Sequence, residues 1–397
     1  MMTNEFMKVY RLKITTYSPV HIGDSRDLEP TEYVICSESE KADCVVCPEC
    51  GAKNPANARD CGICGEPLPR APVFLYTFTP QQLSEALSPA DKQQLLRIVK
   101  SDSVNSLKEL QKFFRARAAF IAKHADKRSK VCPEIAKKYE KAETDNRFRI
   151  EKQISDSVTG LPYIPGSSLK GAIRTALMSV KAEKLHVHKN DFKKSADAEK
   201  MLYGYDNPTD DPFKSLKLGD AVAVSPFMTE IDTAENVKRK ENKAVSQKGV
   251  SVYMEIIPSK IVFKSTLTFS CGSDSVRRFG ETIESIRHAC NDFYSDILND
   301  QSDRQTIVHG IDSRLFEEIR NASNRSNAFL LCLGKHGGAE SKTVESLRNI
   351  KIMTGKDPKT GKSTSKYLDH ATTYWFAKNG TERRPFGWCV VEFEEVK

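Results

Sequence analysis

Four cysteines stand in two pairs, Cys47-Pro48-Glu49-Cys50 and Cys61-Gly62-Ile63-Cys64, with ten residues between them. Doubled C-x-x-C knuckles, each followed by a glycine (Gly51, Gly65), are the ligand pattern of a tetrahedral zinc ribbon. The segment is rich in Gly, Pro, Asn and Ala and nearly devoid of large apolar residues. It cannot bury enough surface to offset the ~1–2 kcal/mol that each ordered residue costs. A structural zinc, worth roughly 10–16 kcal/mol in small zinc peptides, can order it. Four thiolates close the coordination sphere, so the expected ion is structural and not catalytic. Cys44 forms an overlapping C-x-x-C with Cys47 and is the one competitor for a ligand place; Cys36 is expected in a strand.

A second chemistry is suggested by Leu161 to Leu177 (LPYIPGSSLKGAIRTAL). Pro162 and Pro165 hold the backbone extended, Gly166 permits a sharp turn, and Ser167 or Ser168 can cap a helix. Leu169, Ala172, Ile173, Ala176 and Leu177 then fall on one apolar face. Lys170 and Arg174 lie four apart on the other face around Gly171. Helix-start N–H groups, two cations and a small residue make a place where a phosphate can approach. The spacing alone equally describes an ordinary capped amphipathic helix with two solvated cations. The loop Gly334-Lys335-His336-Gly337-Gly338, with Lys342 after it, is a second phosphate-cradle candidate behind a buried strand, Ala328 to Leu333. It fits neither the Rossmann nor the P-loop fingerprint, so nucleotide hydrolysis is not expected. Asp24, Asp27 and Glu29 follow His21-Ile22-Gly23. They lack a recognisable catalytic setting, although His21 could serve as a general acid or base. Surface acids after a turn, and a histidine packed beside a glycine, describe the same residues without chemistry.

The elements that must position these groups read as α+β. The first strand is Lys8 to Thr16. Thr31 to Ile35 and Val73 to Thr79 pair as a hairpin if the cysteine segment is a folded insertion. Residues 80–150 are helical and polar, ending in a basic run (Arg115, Arg117, Lys123, His124, Lys127, Arg128, Lys130) that is either a solvated face or one turned to RNA. Glu230 to Lys248 reads as a loop or hairpin arm, Ser251 to Ile257 with Ile261 to Phe269 as a hairpin, Asp274 to Leu298 as a helix, Asp357 to Ser365 as a loop, and Pro385 to Phe393 as the last strand. Two ferredoxin-like (RRM-like) units account for this order. Residues 1–200 hold the zinc ribbon (36–70) and the helical insertion (80–150) of the first, and 201–397 form the second. The chain has 397 residues, 39% hydrophobic and 29% charged, with net charge +8, a modest lean towards an anionic partner. There is no N-terminal apolar h-region, so a cytoplasmic protein with reduced cysteines and no membrane span is expected.

Four segments together resemble a family: Ser18-Pro19-Val20-His21-Ile22-Gly23, the Tyr163 to Arg174 stretch, Leu333 to Gly338, and Gly387-Trp388. They resemble the RAMP superfamily of CRISPR effector subunits. The chain length, Val252 to Glu255, and Ser341-Lys342-Thr343 after the glycine loop resemble the branch found at the guide 3′ end of type III-A (Csm) complexes. The resemblance implies a non-catalytic structural subunit that binds guide RNA and packs against the neighbouring backbone RAMP subunit and the small helical subunit. It also implies support for guide maturation through cellular nucleases. It carries RNA contact onto His21, Gly166, Ser167, Ser168, Lys170, Gly171, Arg174, Gly334, Lys335, His336, Gly337, Gly338 and Lys342. Ser25 stands where relatives often have a glycine, and the zinc ribbon is not a general feature of the branch. The enzyme alternative is a RAMP-type endoribonuclease.

Overall fold

The computed structural model describes residues 7–37, 44–55, 58, 60–68, 72–101, 105–125, 127–142, 148–192, 195–241, 252–270, 279–356 and 360–396. Two large sheets carry the α+β fold. The first is antiparallel, in the order β15 (Ala328–Cys332), β20 (Trp388–Glu395), β1 (Met7–Thr16), β14 (Val262–Ser270), β11 (Ala221–Ala223), β9 (Tyr163–Ile164), with β10 (Leu216–Leu218) also on β14. In β1 the alternation is plain: Tyr10, Leu12, Ile14 and Thr16 are buried, Arg11 and Lys13 exposed. The buried face meets α6 (Gly166–Lys184) and α8 (Ile283–His309) in one large core. The predicted α6 stripe, Leu169, Ala172, Ile173, Ala176 and Leu177, is all inside it. Thr282 caps α8 and Gly310, at φ 70°, ends it in the left-handed conformation. The helix α9 (Ser313–Ser323) packs against β15 and β20.

The second sheet runs β2 (Gly23–Leu28), β8 (Ile150–Gln153), β13 (Val252–Ile256), β12 (Glu230–Lys238), β7 (Lys127–Val131), β6 (Val73–Thr77), β3 (Tyr33–Ser37). To it are added β18 (Thr373–Asn379) on β12 and β19 (Glu382–Pro385) on β18. The β3–β6 pairing is the hairpin expected around the cysteine insertion. Its two faces are both covered, as period-2 side chains require. Tyr33, Ile35 and Leu75 meet α5 (Pro133–Lys141). Val34, Phe74 and Tyr76 meet the cluster formed by α1 (Pro80–Ala86), α3 (Ser106–Arg115) and α4 (Ala118–His124). Pro80 and Pro89 start α1 and α2 (Pro89–Lys100), behind the caps Thr79 and Ser88. The remaining helix is α7 (Ser195–Tyr203).

Each sheet draws strands from both halves of the chain: β1 lies between β14 and β20, and β12 pairs with β7. Two expectations are corrected. The strands at 252–256 and 262–270 are not a hairpin. The first belongs to the second sheet and the next to the first, and the chain crosses between them through Lys260 at φ 66°. Residues 363–365, expected in a loop, instead open β17 (Ser363–Leu368), which pairs with β16 (Ile350–Lys356) as a separate two-stranded ribbon, while residues 357–359 lie outside the described residues. The basic run holds β7, which its charges hid. Residues 242–248, within the expected arm, lie outside the described residues. Among those described, no helix is long and apolar enough to cross a membrane.

Candidate functional site

The two cysteine knuckles share one backbone design. Cys47 N–H donates to the Ala52 carbonyl and Gly51 N–H returns to the Cys47 carbonyl, both at 2.9 Å. Cys61 N–H donates to Glu66 at 2.8 Å and Gly65 N–H to Cys61 at 2.9 Å. Gly51 and Gly65 close these turns at φ 72° and 75°, where a side chain would be strained. The result brings all four sulfurs within 4.8 Å of one another, with Cys47–Cys64 at 3.6 Å and Cys50–Cys61 at 3.5 Å. A tetrahedron of 2.3 Å metal–sulfur bonds has edges of about 3.8 Å, so the donor set fits one metal ion. Backbone N–H groups of Cys64 and Ile63 aimed at the Cys61 sulfur hold that thiol down at about 6, while desolvation and hydrogen bonds with the other cysteines push Cys64 up to about 12. The apolar support is slight, with Leu68 the one large buried aliphatic beside the sulfurs. Cys44 lies outside the cluster, in β4 (Cys44–Val46) opposite Pro55 of β5 (Lys53–Pro55). Cys36 is buried in β3 as expected.

The start of α6 differs from its expected form. Pro165 occupies the cap position, and neither Ser167 nor Ser168 caps the helix. The Gly166 N–H instead donates to the Asp220 carboxylate at 2.7 Å, so an anion from this chain already sits at the helix start. Gly166 is buried, and a Cβ there would run into the Leu218 carbonyl. Lys170 Nζ donates to the Phe213 carbonyl at 2.7 Å, and burial lowers its pKa. Arg174 pairs with Glu199 and, at 3.2 Å, with Asp211, while its guanidinium lies 4.4 Å from the Phe213 ring centre. Ser167 and Gly171 are the exposed members of the motif.

The glycine loop meets the His21 turn. Lys335 N–H donates to the His21 carbonyl at 2.7 Å, and a Cβ on Gly334, at φ 73°, would strike that same carbonyl. His21, 1% exposed, donates from Nδ1 to the Glu255 carbonyl at 2.6 Å; burial lowers its pKa. Its Nε2 lies 3.6 Å from Glu151, which also holds Lys335 Nζ at 2.7 Å. Glu255, buried beneath, accepts from Lys127 at 2.6 Å, Thr229 at 2.7 Å and Gln153 N–H at 3.2 Å. This polar knot joins the two sheets, and Glu255 and Gln153 carried no sequence signal for it. His336 lies over Trp375, ring centres 4.3 Å apart, and burial with Lys335 nearby holds its imidazole down at about 3. Gly337 is buried against Cys332 and Gly338 faces Glu340. Lys342 turns its ammonium inward onto the Cys332 carbonyl at 2.8 Å. The two cradle candidates do not merge into one site through their own side chains. Where α6 meets the segment after the loop, Ser179 bonds Glu345 N–H, thirteen residues or about 20 Å up the helix from Gly166.

The acids of the first turn are dispersed. Asp24 lies 3.9 Å from Lys152, Glu29 pairs with Arg149 at 3.1 Å, and Asp27 stands opposite Glu151 in β2. Among the described residues the only cluster of metal-ligating groups is the cysteine one. Much of the basic run is also engaged: Arg115 with the Tyr139 carbonyl, Arg117 with Asp91, Lys127 with Glu255.

Known proteins decide the family. The model of the RAMP superfamily matches residues 13–300, which takes in strands of both sheets and the whole of α6. The chain belongs to the RAMP superfamily. This RAMP protein is 26% identical over 295 residues to the CRISPR system Cms protein Csm5 of Methanocaldococcus jannaschii, across 64% of this chain and 67% of that one. A chain in the cryo-EM structure of a type III-A Csm–crRNA–target RNA ternary complex superposes with a TM-score of 0.59 at 15% identity, over 96% of this chain and all of that chain. The crystal structure of T. onnurineus Csm5 gives 0.52 at 14% identity, over 81% and 89%. The fold of the chain in the Csm complex is thus shared along nearly the full chain.

Proposed function

We propose that this protein is a non-catalytic structural subunit of a type III-A CRISPR interference complex, binding the 3′ part of the guide RNA at the head of the backbone filament. The observation that carries the proposal is the likeness, over 96% of the chain, to a subunit of an RNA-bound Csm complex. In this reading its partners are guide RNA, the neighbouring backbone RAMP subunit and the small helical subunit. It supports guide maturation by recruiting cellular nucleases, and it works in the cytoplasm. Binding is to phosphates and ribose, with little base reading. Of the residues read as RNA-facing, Ser167, Gly171, Lys335 and Lys342 are exposed; Lys342 gives its ammonium to the Cys332 carbonyl, so Ser167, Gly171 and Lys335 take that role. His21, Gly166 and Gly337 are inside and shape the surface from below. The dispersed Asp24, Asp27 and Glu29 support the non-catalytic part.

The cysteine cluster is read as a structural zinc ribbon, held by Cys47, Cys50, Cys61 and Cys64. The order β1, α6, β10 and β11, β14, α8, β20 supports one ferredoxin-like unit assembled from both ends of the chain.

A tagged full chain, purified from cells carrying the system, tests the reading by sequencing of the bound RNA and identification of the bound subunits. Repeat-derived guides with co-purifying RAMP subunits are expected, with about one zinc per chain that Cys50→Ser removes. Absence of RNA overturns the binding role. Mg²⁺-dependent RNA cleavage that disappears in Asp27→Ala overturns the non-catalytic one.

A further inference from the structure

The ribbon formed by β16 and β17 has no sheet partner but itself. Neither strand has a buried residue on either face. An isolated two-stranded hairpin is marginal in water, because each face lacks a layer to pack against. This one is held at its root. Ala371 N–H donates to Glu340 at 2.8 Å, Arg348 donates to the Glu340 carbonyl at 3.2 Å, and Arg239 pairs with Glu340 at 2.8 Å and with Asp300. Both ends of the ribbon are thereby tied to the segment just after the glycine loop. From there seven residues of β16 extend about 23 Å.

Its charge is one-sided. Residues 350–368 contain five lysines and one acid, Asp357, in a chain with 61 basic and 53 acidic residues. The ammonium groups of Lys351, Lys356, Lys362 and Lys366 have no carboxylate or hydrogen-bond partner among the described residues. Pairing places Lys351 opposite Tyr367 on one face, beside Met353, and Lys366 opposite Ile352 on the other. Tyr367 and Met353 are 56% and 59% exposed. Apolar side chains are too sparse for the core of a protein interface. Lysines on both faces around an exposed tyrosine instead match a strand of nucleic acid, with phosphates at the ammonium groups and a base on the phenol ring. We infer that the ribbon of β16 and β17 is an RNA-binding arm that takes single-stranded RNA by its backbone, with Tyr367 as a stacking platform.

This rests on the RNA-binding reading above, and the test separates the two. Full-length protein is titrated against a labelled single-stranded RNA oligonucleotide from about 50 to 200 mM salt. A variant with Lys351, Lys356, Lys362 and Lys366 all changed to alanine should lose about 2.8 from the log–log salt slope, at roughly 0.7 per phosphate contact. Tyr367→Ala should weaken binding about tenfold with the slope unchanged. The melting temperature of both should match wild type, since no buried surface is removed. If wild type binds and the lysine variant binds with the same affinity and slope, the arm inference falls alone. If wild type binds no RNA, the RNA reading falls and takes the arm with it. If the lysine variant keeps its RNA but loses a subunit from the complex, the arm serves an acidic protein and the inference is wrong.

Discussion

The start of α6 and the β16–β17 arm both set cations along one element, yet they use them in opposite ways. At α6, Lys170 is spent on the Phe213 carbonyl and Arg174 on Asp211 and Glu199, while Asp220 fills the helix-start position a phosphate would take. On the arm, four lysine ammonium groups stand in solvent with no internal partner among the described residues. The motif cations brace the fold; the arm cations are the ones open to a polyanion. Spacing identifies which residues share a face, and burial decides whether the face is available.

Substitutions at α6 should therefore act on stability and those on the arm on RNA. Gly166→Ala is expected to have the largest effect, about 3 kcal/mol of destabilisation, because the added methyl meets the backbone carbonyl of Leu218 and not a side chain that can move. A denaturant melt reads this directly. Arg174→Ala comes next, at about 1–2 kcal/mol after allowance for its partial exposure, since it leaves Glu199 and Asp211 facing each other without their counter-charge. Asp220→Ala should cost about 1 kcal/mol, as loss of a helix cap does. A smaller effect is expected at the glycine loop. His336 is held neutral to about pH 3, whereas a solvated imidazole titrates near 6.5. Between those values the unfolded chain binds the extra proton, so this site lowers stability as pH falls below about 6.5 and contributes nothing above it. Melting temperatures taken from pH 7 to 5 should fall less steeply in His336→Phe than in wild type. Replacing the four arm lysines should change stability least, within about 0.5 kcal/mol.

Much of the architecture was legible, and what was lost has physical causes. The α6 stripe and β1 carry strong periodicity, the buried β15 and the β3–β6 hairpin are short continuous apolar runs, and the two cysteine knuckles announce their geometry through spacing alone. Sheet membership was not legible. Residues 252–256 and 262–270 look like a hairpin because strand signals are local, while the turn at Lys260 that sends them to different sheets is set by long-range packing. β7 was hidden because its outward positions are lysine and arginine, which mimic a charged helix end. The arm was hidden for the converse reason: with both faces in water, β16 and β17 show no alternation of apolar and polar residues. Of the segments the sequence singled out, the His21 turn and the Gly334 loop do meet. It did not reveal that Glu151, Glu255, Asp211 and Asp220 neutralise or cap the groups that looked free, since nothing local links partners separated by tens to hundreds of residues.

The salt dependence of RNA binding for two double variants tests the contrast most directly. Lys351→Ala with Lys366→Ala should lower the log–log slope by about 1.4 at an unchanged melting temperature. Lys170→Ala with Arg174→Ala should lower the melting temperature and leave the slope as in wild type. A slope that falls for the α6 pair and stays for the arm pair would contradict the account and return the RNA to the helix start.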